Sequence, residues 1–181
     1  MPFSELLRIT VLLIAGVATA LGALAVLATQ AEDSTFAAIV GGAWWLIATA
    51  TGLILGTPAR AAEAIAPALR GARTATSLPD ESEGRIAFMR LWPIGAFAVV
   101  CGVAGVIFPQ VAAIGSGYAI LIALLWRRRE AAVLAIEERD GVRFYVEPSS
   151  AFEPLRLVRT PGLYRDRPPH PKPPPPPPAE A

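Results

Sequence analysis

Five side chains that could line a ligand site fall near the middle of long apolar runs of the chain. They are Thr19, Trp44, Trp45, Cys101 and Tyr118. Polar groups at such depth need partners on neighbouring helices, because hydrocarbon offers no hydrogen bonds. The side-chain oxygens of Thr19, Thr49 and Tyr118 are candidate acceptors for the two indole N–H groups. The pattern fits either a pocket for an apolar ligand or lipid, or the ordinary packing of a helix bundle.

The same apolar runs contain no Asp, Glu, Lys or His. Proton relays, carboxylate ion sites and intramembrane metalloproteases all need such groups at depth. The phosphate-binding, GxSxG, HExxH and kinase motifs are also missing from the sequence, and one cysteine provides neither an internal disulfide nor a zinc module. The sequence therefore predicts no catalytic residue, cofactor or metal site, and it favours a function other than catalysis.

The composition indicates that these runs lie in a membrane rather than in water. Of the 181 residues, 54% are hydrophobic and only 17% are charged, with a net charge of +1 and a mean hydropathy of +0.48. So few charges are unusual for a water-soluble domain, and near-neutrality gives no basis for nucleic-acid binding. Four apolar runs, at 9–29, 36–56, 86–108 and 111–126, approach the roughly 20 residues that a membrane-spanning helix needs. We predict an all-α membrane protein with four transmembrane helices arranged as two hairpins, 1–56 and 86–126.

Two features of these runs leave alternatives open. The first run follows Arg8 and ends among small residues, as in a cleaved signal peptide, although it exceeds the roughly 7–15 residues of a signal core. Only Pro109 and Gln110 separate the third and fourth runs, and the fourth is short, so these helices could instead form a re-entrant pair. Four full spans remain the leading prediction.

The positions of the basic residues predict an orientation. All sixteen lie outside the connections at 30–34 and 109–110, and ten of them follow residue 126. By the positive-inside rule, both termini and the 57–85 loop are cytoplasmic, and the arginine-rich composition indicates a bacterial cytoplasmic membrane. The side chains expected to contact lipid headgroups are Arg90, Trp92, Trp126, Arg127, Arg128 and Arg129.

The predicted cytoplasmic segments differ from one another in pattern. Apolar residues at helical spacing in the 57–85 loop predict a short interfacial helix that contains Pro67. Within 127–160, the fourth helix should continue to Asp140 and end at Gly141, and a β-hairpin should follow over 142–146 and 155–159. Two strands alone are marginal in water, so the hairpin must pack on the loop, the membrane, a second copy or another protein. The 161–181 segment is a disordered proline-rich tail by composition.

These features favour a non-catalytic integral membrane scaffold or accessory subunit that presents a cytoplasmic C-terminal interaction module. A small oligomeric transporter or channel-like component is the alternative, although spans without deep polar groups offer little aqueous path. The expected partners are anionic lipid headgroups on the cytoplasmic side, and either another protein or a second copy bound through 140–181. No nucleic-acid partner is expected.

Overall fold

The computed structural model of the protein describes residues 1–31, 35–74, 82–151, 153 and 155–161. These residues form five helices and a small sheet of three strands. Four of the helices, all except the third, are long and apolar enough to cross a membrane, as the sequence predicts. Residues 75–81 of the predicted 57–85 loop lie outside the described residues, as does the predicted 161–181 tail except for Pro161, which ends the last strand. The elements in chain order are α1 (Phe3–Ala31), α2 (Thr35–Leu55), α3 (Pro58–Arg70), β1 (Arg73–Thr74), α4 (Glu83–Ile107), α5 (Pro109–Asp140), β2 (Val142–Val146) and β3 (Leu157–Pro161).

The ends of α5 follow the local chemistry of the chain. Phe108 separates α4 from α5 and is extended, with φ −126° and ψ 92°, the conformation favoured before a proline. At the other end Gly141 is left-handed, with φ 62°, and its N–H donates to the Glu137 carbonyl. The predicted end at Gly141 is confirmed, whereas the break lies at Phe108, and Pro109 and Gln110, predicted as the connection, form the first turn of α5. At about 1.5 Å per residue, the 32 residues of α5 extend about 48 Å, well beyond the roughly 30 Å of a hydrocarbon core.

α5 is the central helix and contacts each of the other four. Its most extensive contact is with α1, which buries residues at alternating four- and three-residue spacing. The facing positions of α5 are small, so the backbones approach closely. α2 packs mainly on α5 and only slightly on α1, and the pairing of helices into two hairpins stays a prediction. The bundle core, as we call this cluster, comprises Ile14, Val17, Ala18, Leu21 and Ala119.

A second cluster joins the sheet to the helices, and we call it the sheet-side core. It gathers the start of α1, one face of α3, the start of α4 and the second half of α5 around the inner face of the sheet. Its buried members are Met1, Phe3, Leu6, Leu7, Ile65, Ile86, Val133, Val142, Phe144, Val146 and Leu157.

The sheet confirms the predicted hairpin and extends it, although β3 begins and ends two residues later than the predicted 155–159. β2 and β3 are antiparallel, and β1, from the loop before α4, pairs in parallel with the free edge of β3. On the opposite edge, the Val146 N–H donates to the Met1 carbonyl at 3.0 Å. Sequence patterning gives no sign of these two additions, because two-residue pairings leave no period. The chain itself thus covers the apolar face of the hairpin. The hairpin therefore needs no partner for its stability, and this argument for a partner no longer holds.

Candidate functional site

A cavity of about 730 Å³ lies between the bundle core and the sheet-side core. Its walls come from α1, α3, α4, α5 and the segment that follows β2. The volume lies within the range of roughly 300–1,000 Å³ that small-molecule sites occupy. Most of the lining is apolar, including Phe3, Leu6, Leu7, Ile14, Val17, Ile65, Leu91, Ile94, Phe97, Ala119, Ile122 and Leu155.

A few polar side chains also line the cavity. Thr10 is buried, and its hydroxyl donates to the Leu6 carbonyl at 2.7 Å, so that hydroxyl is satisfied within its own helix. Arg129 lies over the Trp126 ring, with Cζ 4.9 Å from the ring centroid. Among the described residues, no carboxylate lies within salt-bridge distance of Arg129. The cavity wall therefore contains a half-buried cation whose contact is with an aromatic face.

Arg90 also lines the cavity and fixes the segment after β2. Its Nη1 donates to Ser149 Oγ at 2.8 Å, to the Ser150 carbonyl at 2.9 Å and to the Glu153 carbonyl at 3.2 Å. A side chain predicted to contact lipid headgroups thus also ties α4 to the loop between β2 and β3. The geometry gives Arg90 a structural role that its position inside an apolar run does not indicate.

The two tryptophans of α2 make an interhelical contact with α5. Trp44 Nε1 donates to the Ile114 carbonyl at 3.3 Å, and Trp45 Nε1 donates to the Ala113 carbonyl at 3.0 Å. The prediction that a neighbouring helix satisfies these N–H groups is confirmed, but the predicted side-chain acceptors are wrong. Both acceptors are backbone carbonyls, and Trp44 can reach its acceptor because Gly117 has no Cβ, which would overlap the Trp44 indole.

The five predicted midplane residues are distributed over three places. Trp44 meets Tyr118 edge-on, with ring centroids 5.3 Å apart, and Tyr118 also lines the cavity. Thr19 is exposed on α1, donates to its own Ala15 carbonyl and shares a shallow groove with Trp45. Cys101 is half-buried and lies against Gly115 of α5.

The predicted headgroup residues also divide by position. Trp126, Arg129 and Arg90 are half-buried and line the cavity. Trp92, Arg127 and Arg128 are exposed on the outer surfaces of α4 and α5. Of the residues predicted to contact lipid headgroups, some therefore line the cavity and the others lie on the outer surface of the bundle.

Sequence reasoning missed the contribution of the first turns of α1. Phe3, Leu6, Leu7 and Thr10 line the cavity, yet the charge-free run begins only after Arg8. Their spacing could have identified them, because apolar residues at positions i, i+3, i+4 and i+7 indicate a helix face. Ala64, Ile65 and Ala68 of α3 complete this side of the cavity.

Outside the apolar runs, Glu137 connects α5 to the sheet. Its Oε1 accepts a hydrogen bond from the Phe144 N–H at 3.0 Å. Burial raises the pKa of this carboxyl, while the hydrogen bond and the nearby charge of Arg143 oppose the rise. The carboxylate therefore satisfies a backbone donor at the cost of partial desolvation.

The described residues hold no group of three or more His, Cys, Asp and Glu side chains that could bind a metal. No known protein family, curated protein or solved structure matches the chain. A functional conclusion must therefore rest on the cavity, the sheet and their residues.

Proposed function

We propose that the chain is a non-catalytic integral membrane scaffold or accessory subunit in a bacterial cytoplasmic membrane. Its four long helices span the bilayer as two hairpins, and the sheet with its following tail forms the interaction module. The observation that carries the proposal is the sheet-side core, which joins the start of α1, α3, the start of α4 and the end of α5 into one packed unit.

The contacts of this core support the proposed orientation. The start of α1, the stretch from α3 to the start of α4, and the part of the chain after residue 126 carry the basic residues of the chain. All three contribute to the sheet-side core, so they share one end of the bundle. With an even number of spans and the positive-inside rule, that end is cytoplasmic.

The surface of the module supports the proposed role. Arg73, Arg143, Arg156 and Arg159 are exposed on or beside the strands. Exposed arginines present planar, multidentate donors to carboxylate or phosphate groups. Residues 140–181 are therefore the proposed contact for an acidic surface of another protein or of a second copy.

Comparison of two charge-reversed variants tests the scaffold function. R156E/R159E changes exposed residues of the module, and R60E/R70E makes the same change of charge on exposed positions of α3. Each protein is purified from native membranes, and the copurifying proteins are quantified by mass spectrometry. We expect specific proteins to decrease about tenfold in R156E/R159E alone, because charge-assisted hydrogen bonds contribute about 1.5–3 kcal/mol each.

Reporter fusions at Thr76 and Ala181 establish the orientation for this experiment, and both should report a cytoplasmic location. Periplasmic activity at Ala181 would contradict the orientation. An unchanged set of partners in R156E/R159E would refute the scaffold function. Solute flux through vesicles that contain the purified chain would then favour the alternative, a transporter or channel-like component.

A further inference from the structure

The cavity between the two cores combines an apolar interior with positive charge. Its described lining residues include two arginines, Arg90 and Arg129, and no acidic residue. The remainder is largely aliphatic and aromatic. Such a lining matches a molecule with a hydrocarbon portion and an anionic group, because each portion then meets a complementary surface.

Arg129 is the stronger of the two candidate anion contacts. Its guanidinium carbon lies over the ring of Trp126, which is half-buried and lines the same cavity. A cation–π contact of this kind satisfies no more than part of the five N–H donors of a guanidinium, so donors remain available for oxygen atoms. A half-buried guanidinium without a carboxylate partner among the described residues is costly unless another anion or water satisfies it.

Arg90 provides a second cation that is already held in place. All three of its hydrogen bonds to the 149–153 segment use Nη1. A guanidinium has five N–H donors in a planar fork, so bonding through Nη1 alone does not exhaust its capacity. The exposed Glu153 carboxylate offsets part of its charge. Arg90 is therefore a positioned but partly compensated contact.

We propose that this cavity binds one anionic lipid, with an acyl chain among the apolar side chains and the acidic headgroup at Arg129, assisted by Arg90. Trp126 and Arg129 follow the apolar part of α5, at the position where indole and guanidinium groups meet lipid headgroups. The inference rests on the proposed membrane insertion and is independent of the scaffold function.

Lipid binding to the purified full chain tests the site. The delipidated protein in detergent is titrated with phosphatidylglycerol, phosphatidylcholine, palmitate or inorganic phosphate, and bound molecules are counted by native mass spectrometry. We expect one phosphatidylglycerol per chain, and tighter binding of it than of phosphatidylcholine by about tenfold, since each charge-assisted hydrogen bond strengthens binding. Tighter binding of palmitate would support the same site with a single-chain carboxylate ligand.

Two pairs of variants assign the binding to the cavity. R129Q removes the lining charge, whereas R60Q removes an exposed charge of α3 outside the cavity as a matched control. A64F adds volume to the α3 wall of the cavity, and A59F adds the same volume on an exposed position outside it. R129Q and A64F should each weaken binding about tenfold, whereas the two controls should bind as the wild type does. Arg90 is left unchanged because its substitution would release the 149–153 segment.

Four results would overturn the proposal. They are equal binding of phosphatidylcholine, equal loss in R60Q, wild-type binding by both R129Q and A64F, and saturation by inorganic phosphate without an acyl chain. Alkaline extraction of membranes that contain the chain tests insertion separately. Extraction of the chain would contradict the membrane proposal, whereas retention together with any of the four results would refute the lipid site alone.

Discussion

Gly117 is the residue on which the contact between α2 and α5 depends. The absence of a Cβ lets the Trp44 indole lie against the α5 backbone and donate to the Ile114 carbonyl. Trp45 makes the equivalent bond to Ala113. Hydrogen bonds between helices in membranes contribute about 0.6 kcal/mol on average, so close packing rather than the bonds must supply most of the stability.

Substitution of Gly117 by Ala should separate these helices. The added Cβ overlaps the Trp44 ring, and overpacking of this kind costs about 1–3 kcal/mol. We expect a lower melting temperature in detergent and a shifted tryptophan emission. Gly102→Ala is the matched control, because a Cβ there meets nothing within 4 Å.

The control variant should equal or exceed the wild type in stability, since alanine is the better helix former by about 1 kcal/mol. In the double variant G117A/W44A, the glycine substitution should cost less than it does alone. Equal losses in G117A and G102A would mean that the effect is not the overlap with Trp44.

At the scale of elements, the boundaries that depend on local chemistry can be predicted from the sequence. The boundaries and pairings that depend on tertiary contacts cannot. The α4–α5 break and the Gly141 cap follow from Pro109 and from the conformational freedom of glycine, both visible in the sequence. The start of α1 at Phe3 was missed, because Arg8 interrupts the charge-free run while the helix passes through it. The parallel pairing of β1 with β3 joins distant segments and has no local signature.

The candidate site was predictable to a similar extent. The sequence predicts Tyr118 as a midplane residue and Trp126 and Arg129 as headgroup contacts, and all three line the cavity. The cavity itself could not be inferred, because its walls combine α1, α3, α4 and α5. Its apolar wall residues differ in no way from other core residues when only the sequence is considered.

The link between α5 and β2 through Glu137 should respond to pH. The folded state holds the Glu137 proton more tightly than the unfolded chain does, because burial raises its pKa. This carboxyl therefore lowers the free energy of unfolding as pH rises from the ordinary glutamate range, about 4.3, through its higher folded pKa. Glu137→Gln keeps an acceptor for the Phe144 N–H and has no charge to desolvate.

The effect is measured by melting curves of the wild type, E137Q and E137A between about pH 4 and pH 8, a range that contains this transition. E137Q should match the wild type at the acid end and equal or exceed it in stability at the neutral end. E137A should be less stable throughout by about 1–3 kcal/mol, the cost of an unsatisfied buried donor. A pH-independent difference between wild type and E137Q would show that ionisation of Glu137 does not contribute.

Across the whole molecule, the bundle core stabilises the contact between the long helices, and the sheet-side core stabilises the contact between the helices and the sheet. The bundle core consists of α1 and α5 residues with small side chains between them, whereas the sheet-side core contains larger side chains from every part of the chain that meets the sheet. In a membrane, burial of apolar surface drives association only where that surface would otherwise contact water. The sheet-side core is thus the unit that the hydrophobic effect can stabilise in the orientation proposed here.

Phe144→Ala should therefore loosen the sheet unit while the bundle persists. Phe144 is 4% exposed and lies in the sheet-side core, and truncation of a buried phenylalanine costs about 3–5 kcal/mol. Tyr145→Ala is the control, because Tyr145 lies on the other face of the same strand and is half-buried. Limited proteolysis should then cleave F144A within both 57–74 and 142–161, since these segments share one core, whereas Y145A should resist as the wild type does.

Because Trp126 packs against the sheet-side core, the bundle readout is taken in a W92F/W126F background, where only Trp44 and Trp45 emit. Their emission should stay unchanged in F144A, because these indoles contact α5 at Ala113 and Ile114, outside the sheet-side core. Cleavage confined to 142–161 would show that the sheet opens without α3, and the packing of Ile65 against the sheet-side core would then contribute little. A simultaneous loss of tryptophan signal would instead show that the two cores unfold as one cooperative unit.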